Sequence, residues 1–442
     1  MISKIFTSFL VSASALCAIW DVAAPACADD FEAPTVLSAA RVLPKEDLSG
    51  PYHKVADRVT SDGYFNNYTL QSKFQTERVE GQQLLELRIG EVDALVELDK
   101  MSSASVLGDS AYEGGKAVVQ APVKAVGKVV DTVSDTKKMK DTVTGIPDGA
   151  GRLFSWAYKQ TKSGVQAVGS AFSSDATPAP EGYSSGDVAS GAKKFGLDFI
   201  GYSKRERELF KLLKANPYSS NKLLQSEVRR VVSLETSVGI AFKFVPGIGL
   251  LSSVNTFNTW YDRATKLSLY EEPEEIFGKN RSELHALGVT DAHVVAFLKN
   301  KAYNPWTSRF VSNSLTEIGP KVGGHDNFIV LATTAKNEPS SLYFVSVADA
   351  MAKLHKRRPL KTILSSLKIP AAVTKDGMLY VPLSVDYLFW TEQVAAILED
   401  LKARCLKEAP FSRIEAKIRG KASPLARRKL EEMGATVIEG EL

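Results

Sequence analysis

The stretch Arg413–Glu439, RIEAKIRGKASPLARRKLEEMGATVIE, changes its hydrophobic period twice, and those changes govern how the end of the chain folds. Ile414, Ala416 and Ile418 alternate with polar neighbours, the period of a half-buried strand. Ser423-Pro424 then supplies a cap and a first-turn residue for a helix, Gly434 stops it, and ATVIE returns to strand. Strand, helix, strand in that order predicts a right-handed parallel crossover. Gly420 stands alone before the helix, so no glycine-rich loop is expected to gather backbone N–H groups around a phosphate. Upstream, AAVT and MLYVPL flank Lys375-Asp376-Gly377, a hairpin in which Asp-Gly predicts a type I′ turn. The basic run Lys353, His355, Lys356, Arg357 and Arg358 falls at an expected helix end, where positive charge complements the helix dipole. Residues 325–442 therefore read as a small C-terminal α+β domain.

Residues 193–324 read as a helical domain. Leu209, Leu212 and Leu213 run up to a stop at Asn216-Pro217, and Leu224, Val228, Val231 and Val232 resume the helical spacing after Ser219-Ser220. The apolar run VGIAFKFVPGIGLLSSV, Val238–Val254, contains Lys243 and Pro246. It is expected as a buried helical hairpin turning at Pro246-Gly247-Ile248-Gly249, with contact at a membrane interface as the alternative and a bilayer span the weakest reading. Short helices follow, separated by Gly288 and by Asn304-Pro305. His285 and His293 are separated by ALGVTDA, which is neither the helical pair nor the finger spacing of a zinc site, so no metal ligand is expected there.

At the other end, residues 29–108 read as a small N-terminal α+β unit. Tyr68, Leu70 and Phe74 alternate with Thr69, Gln71, Lys73 and Gln75 as in a strand, while Leu85, Ile89, Val92 and Val96 recur at helical spacing. Ser61-Asp62-Gly63 supplies a turn before the strand. The expected fold class is α+β and predominantly helical.

Residues 1–28 have the order of a secretory signal peptide: Lys4, the apolar run IFTSFLVSASALCAIW, then small residues ending in Ala26-Cys27-Ala28 as a cleavage site. Ala24, rather than Leu, stands three places before Cys27, which argues against lipidation. Cleavage near Ala28 would leave Cys405 as the remaining cysteine, with no internal disulfide possible. Cys405 shares an apolar helix side with Val394, Ile397, Leu398 and Leu401 and is expected to be a buried hydrophobe. The net charge of +4 is too small for a polycationic nucleic-acid binder. Export to the periplasm or cell envelope is the expected address.

Two segments remain. In 109–172, Val119, Val123, Val126, Val130 and Val133 form a stripe at helical spacing, with Lys116, Gln120, Lys124 and Lys128 on another face. Pro122, Gly127 and the valines give this amphipathic helix low intrinsic stability, so it needs a surface to lie against. Ala111–Phe172 holds 9 Lys/Arg against 5 Asp/Glu, an excess equal to that of the whole chain. The stripe and Lys116, Lys124 and Lys128 are thus the expected contact with an anionic membrane surface or another envelope protein. Phe154, Ala157, Thr161, Val165, Val168 and Phe172 make a second stripe after the break at Thr144–Gly149, and packing of the valine stripe on it as an antiparallel hairpin is the reading that competes with surface contact.

Residues 173–192 are a Ser/Pro/Gly linker by composition. They include Gly182-Tyr183-Ser184-Ser185-Gly186, which fits the G-x-S-x-G pattern of a serine hydrolase and supplies the alternative reading, an exported serine-type hydrolase. The context opposes it: a nucleophile elbow needs a strand before the serine, and TPAPE precedes Gly182 with two prolines. No catalytic residue, cofactor or metal site is assigned, and the function expected is that of a non-enzymatic exported envelope protein.

Overall fold

The computed structural model describes residues 31–108, 203–238, 262–267, 269–270, 272–364 and 368–442. The chain is a mixed α+β protein with about 52% helix and several sheets. The expected signal peptide (1–28) and linker (173–192) lie outside the described residues, as do Ser184 with its GYSSG motif and the hairpin turn Pro246–Gly249. So do Lys116, Val119, Val123, Lys124, Val126, Lys128, Val130 and Val133.

The N-terminal part runs β1 (Leu37–Ser38), α1 (Ala39–Val42), α2 (Lys45–Leu48), β2 (His53–Val55), β3 (Arg58–Ser61), β4 (Asn66–Ser72), β5 (Thr76–Glu80) and α3 (Gln82–Gly108). All its strand pairs are antiparallel, with β2 and β3 along β4 and β5 also paired to it. Tyr68 and Leu70 of β4 point into a core with Val55, Val59 and Val79, closed by Leu85, Ile89 and Val92 of α3. The alternation read through Gln75 stops at Ser72. There the chain turns, with the Ser72 N–H donating to the Gln75 carbonyl at 2.9 Å, and enters β5. Sequence periodicity hid β5 because Val79 is its one apolar residue.

The helices that follow are α4 (Lys204–Leu212), α5 (Lys222–Val238), α6 (Pro273–Ala286), α7 (Asp291–Leu298), α8 (Pro305–Ile318), α9 (His325–Ala332) and α10 (Glu338–Arg357). The breaks fall where the sequence places them. Asn304 caps α8 by accepting from the Thr307 N–H at 3.0 Å with Pro305 in the first turn, while Asn337, a break the sequence reading did not single out, does the same for α10 through Ser340 at 3.1 Å. No helix among the described residues is long and apolar enough to cross a membrane.

The last part contains β6 (Leu360–Ile363), β7 (Ala372–Thr374), β8 (Met378–Leu383), β9 (Tyr387–Leu388), α11 (Glu392–Glu408), β10 (Arg413–Ile418), β11 (Lys421–Ala422), α12 (Pro424–Glu432) and β12 (Ala435–Glu439). Its main sheet has the order β12-β10-β8-β7-β6, with β8, β10 and β12 parallel and β6 and β7 antiparallel additions. The strand-helix-strand reading of Arg413–Glu439 corresponds to the parallel pair β10–β12 joined by α12, whose first turn is capped by the Ser423 hydroxyl accepting from the Ala426 N–H at 2.9 Å.

The hairpin at Lys375–Gly377 joins β7 and β8, but its turn differs from type I′. Gly377 has φ 78°, whereas Lys214 is the one non-glycine with positive φ among the described residues, so Asp376 stays on the negative side. The Gly377 N–H returns to the Thr374 carbonyl at 3.1 Å, closing a three-residue loop that ends in a left-handed glycine. One apolar cluster extends from Ala264 to Ala435 and takes in Tyr64 and Phe65 from the β3–β4 turn.

Candidate functional site

Open parallel sheets keep their ligand sites at the carboxyl ends of the strands. In this chain β8 ends at Leu383 and β10 at Ile418, and both strands resume after a bend as β9 and β11, which pair in parallel through Tyr387 with Lys421 and Leu388 with Ala422. Gly420 sits in the bend. A Cβ there would lie 1.8 Å from the Asp386 carbonyl oxygen, so a side chain cannot be accommodated without moving backbone. The N-terminal part is set against this edge: the Asp386 and Phe389 N–H groups donate to the Tyr64 and Gly63 carbonyls, both at 2.8 Å. Further along, the Glu32 N–H donates to the Trp390 carbonyl at 3.0 Å, while the Glu32 carboxylate accepts from the Trp390 N–H at 2.6 Å and from the Ser423 hydroxyl.

Polar side chains are buried where the two parts meet. The Asp386 carboxylate accepts from the Asn66 N–H at 2.9 Å and the Gln82 N–H at 3.0 Å. Gln82 is the first residue of α3 and follows Gly81 at φ 88°, so Asp386 caps that helix from a distance of 304 residues in sequence. One turn on, Glu86 receives both of its oxygens' bonds from Arg419 Nη2, at 3.0 and 2.8 Å, and a third from Gln82 Nε2 at 2.9 Å. Asn66 Nδ2 donates to the Tyr68 hydroxyl at 3.1 Å. Asp47, on α2, is buried within the field of Glu86 and Arg419.

Burial dominates the electrostatics of this junction. It pushes Asp386 up to about 6, against the opposing pull of its two backbone N–H bonds and of Arg419. It pushes Asp47 up to about 7, helped by the charges of Glu86 and Glu46. Burial also raises Asp62 and Tyr68 well above their ordinary ranges and lowers His53. Asp47 Oδ1, Asn66 Oδ1, His53 Nε2 and Arg419 Nη1 are buried without a hydrogen-bond partner among the described residues. The arrangement can hold protons. Among the described residues no group of three or more His, Cys, Asp or Glu could hold a metal ion.

A second polar knot orients the helices. Arg88 on α3 bonds Glu91 at 2.9 Å, Glu338 at 3.1 Å and the Ser219 hydroxyl at 3.1 Å, and Asn221 Nδ2 reaches Glu91 at 3.0 Å. The start of α5 is thereby fixed beside the first half of α3, and Leu95 and Leu98 lie in one apolar cluster with Leu224, Val228 and Val231, so the two helices run in the same direction. Helix α4 returns antiparallel, with Glu206 3.6 Å from Arg229. The C-terminal ends of α3 and α5 and the N-terminal end of α4 therefore lie at one end of a three-helix cluster.

His285 pairs with Asp291 at 3.1 Å and His293 with Asp326 at 2.7 Å, so the two histidines serve separate carboxylates. Cys405 is free and buried, as its apolar neighbours predict. Sequence reasoning missed Asp47, Glu86, Asp386 and Arg419. The available signal was charge inside apolar surroundings, as in LLELRIGEVDALVEL around Glu86 and LSVDYLF around Asp386. No family model, no curated protein and no solved structure matches this chain.

Proposed function

We propose that the chain is an exported, non-enzymatic envelope protein that makes a peripheral contact with an anionic membrane surface or another envelope protein through segment 109–172. In this reading residues 1–28 direct export, and the mature chain comprises the N-terminal α+β unit (29–108), the amphipathic segment, the linker (173–192), a helical domain (193–324) and the C-terminal α+β domain (325–442). The observation that supports it is the shared end of the α3–α4–α5 cluster. Helix α3 leads into stretch 109–202 and α4 follows it at this shared end, so the two attachments of the segment that carries the valine stripe lie together.

The contact residues are Val119, Val123, Val126, Val130 and Val133, flanked by Lys116, Lys124 and Lys128. Each valine buried in an interface contributes up to roughly 1.5 kcal/mol, and each lysine near an anionic surface about 1 kcal/mol. The test is Val126→Asp. Interfacial contact predicts lost liposome or partner binding with an unchanged melting temperature. A stripe packed within its own fold predicts the reverse, lower melting with binding unaltered.

A further inference from the structure

We propose that the buried junction of Asp47, Glu86, Asp386 and Arg419 is a proton-responsive clasp, which holds the N-terminal part against the carboxyl edge of the parallel sheet more tightly as it takes up protons. Its geometry imposes this. Arg419 commits Nη2 to Glu86 of α3, and the carboxylates of Asp47 on α2 and Asp386 in the β8–β9 bend are buried within the field of that same guanidinium. When all are ionised, negative charge is in excess in a region shielded from water, where repulsion is weakly screened. The hydrogen-bond inventory has the same bias. Asn66 and Asp47, 0% and 2% exposed, each keep a side-chain oxygen without a donor. A proton on a carboxyl removes one negative charge and adds one O–H donor.

Every element around the junction contributes titratable or charged groups. Facing Asp47 are Glu46 on its own helix, Glu86 on α3 and Arg419 after β10, while His53 on β2 bonds to the backbone of Asp47 and Glu46. Facing Asp386 are Glu86, Arg419, Tyr68 on β4 and Asp62 in the β3–β4 turn, with Glu80 beyond Asp62. Burial raises both Asp47 and Asp386, and these two carboxyls outnumber the one opposing group, His53, which burial lowers. A carboxyl raised in the folded state gives stability that is complete below its unfolded value and is lost as pH rises through the folded one. The clasp therefore loosens between mildly acidic and neutral pH. It belongs to the folded body and does not depend on what segment 109–172 touches.

The test is amide hydrogen exchange of the full chain. The Asn66 and Gln82 N–H groups, which donate to Asp386, are followed from pH about 7.5 to about 5.5 with intrinsic exchange rates removed. Their opening is expected to fall by about tenfold on acidification, with most of that response gone in Asp47→Asn. Asp386→Asn could unfold α3 by weakening its cap, so the wild-type chain carrying carboxyl-labelled aspartate is titrated by NMR as the second measurement. Two aspartates titrating near 6 and 7, and missing one at a time in the two variants, support the clasp. Asp47 and Asp386 both titrating in the ordinary aspartate range, or opening of Asn66 and Gln82 that ignores pH, would overturn it.

Discussion

Arg419 and Glu86 show what one residue can hold in place. Glu86 is 3% and Arg419 12% exposed at the side chain, so removing either leaves the other charged and shielded from water. Arg419→Met is expected to lower unfolding free energy in urea by about 3–5 kcal/mol, and adding Glu86→Leu should restore a good part of it, because the stranded charge then disappears. Cys405 gives a contrasting case. Burial pushes its thiol up to about 12, so it should resist a disulfide reagent in the native protein and react fully in denaturant. Its burial was legible from neighbours at helical spacing. The role of Asp386 was not, since the groups it caps belong to a helix 304 residues away and no local pattern encodes that distance.

At the scale of elements, legibility followed locality. The β7–β8 hairpin, the cap of α12 by Ser423 and the restart of helix after Asn216-Pro217 depend on adjacent residues, and sequence reading found them. Strand β5 escaped because its polar face is long and its apolar face is Val79 alone. The turn of the hairpin was misread because Asp-Gly fits a two-residue loop as well as the three-residue loop adopted. Caps also give an element-scale prediction. Asn337 accepts from the Ser340 N–H at 3.1 Å at the start of α10, a helix with its central residues in the core. Asn337→Ala should cost about 1 kcal/mol by denaturant titration, with the slope of the transition unchanged.

For the whole molecule, two buried aspartates, Asp47 and Asp386, and the half-buried Asp93 favour the acid side of the pH dependence. Asp47 at about 7 and Asp386 and Asp93 at about 6 are all raised, chiefly by burial, above an unfolded value of 3.8. Each contributes stability that is present below 3.8 and is lost as pH rises through 6 to 7. Glu317, lowered by Lys356 and Asn313 despite its own desolvation, acts oppositely at more acid pH. His53, His325 and His355, lowered by burial, withdraw stability as pH falls below 6.5, so the melting temperature of the full chain should increase from pH about 8 to about 5 by less than the aspartates alone would give. The functional proposal operates at this scale as well, since it rests on the two attachments of segment 109–202 to the folded body lying together. Its most direct test mixes the mature chain with anionic liposomes and sediments them at low and high salt. Co-sedimentation at low salt, weakened at high salt as the lysine contribution is screened and abolished in Val126→Asp with unchanged melting, is the predicted result. A wild-type chain that stays in the supernatant under both conditions would contradict membrane contact.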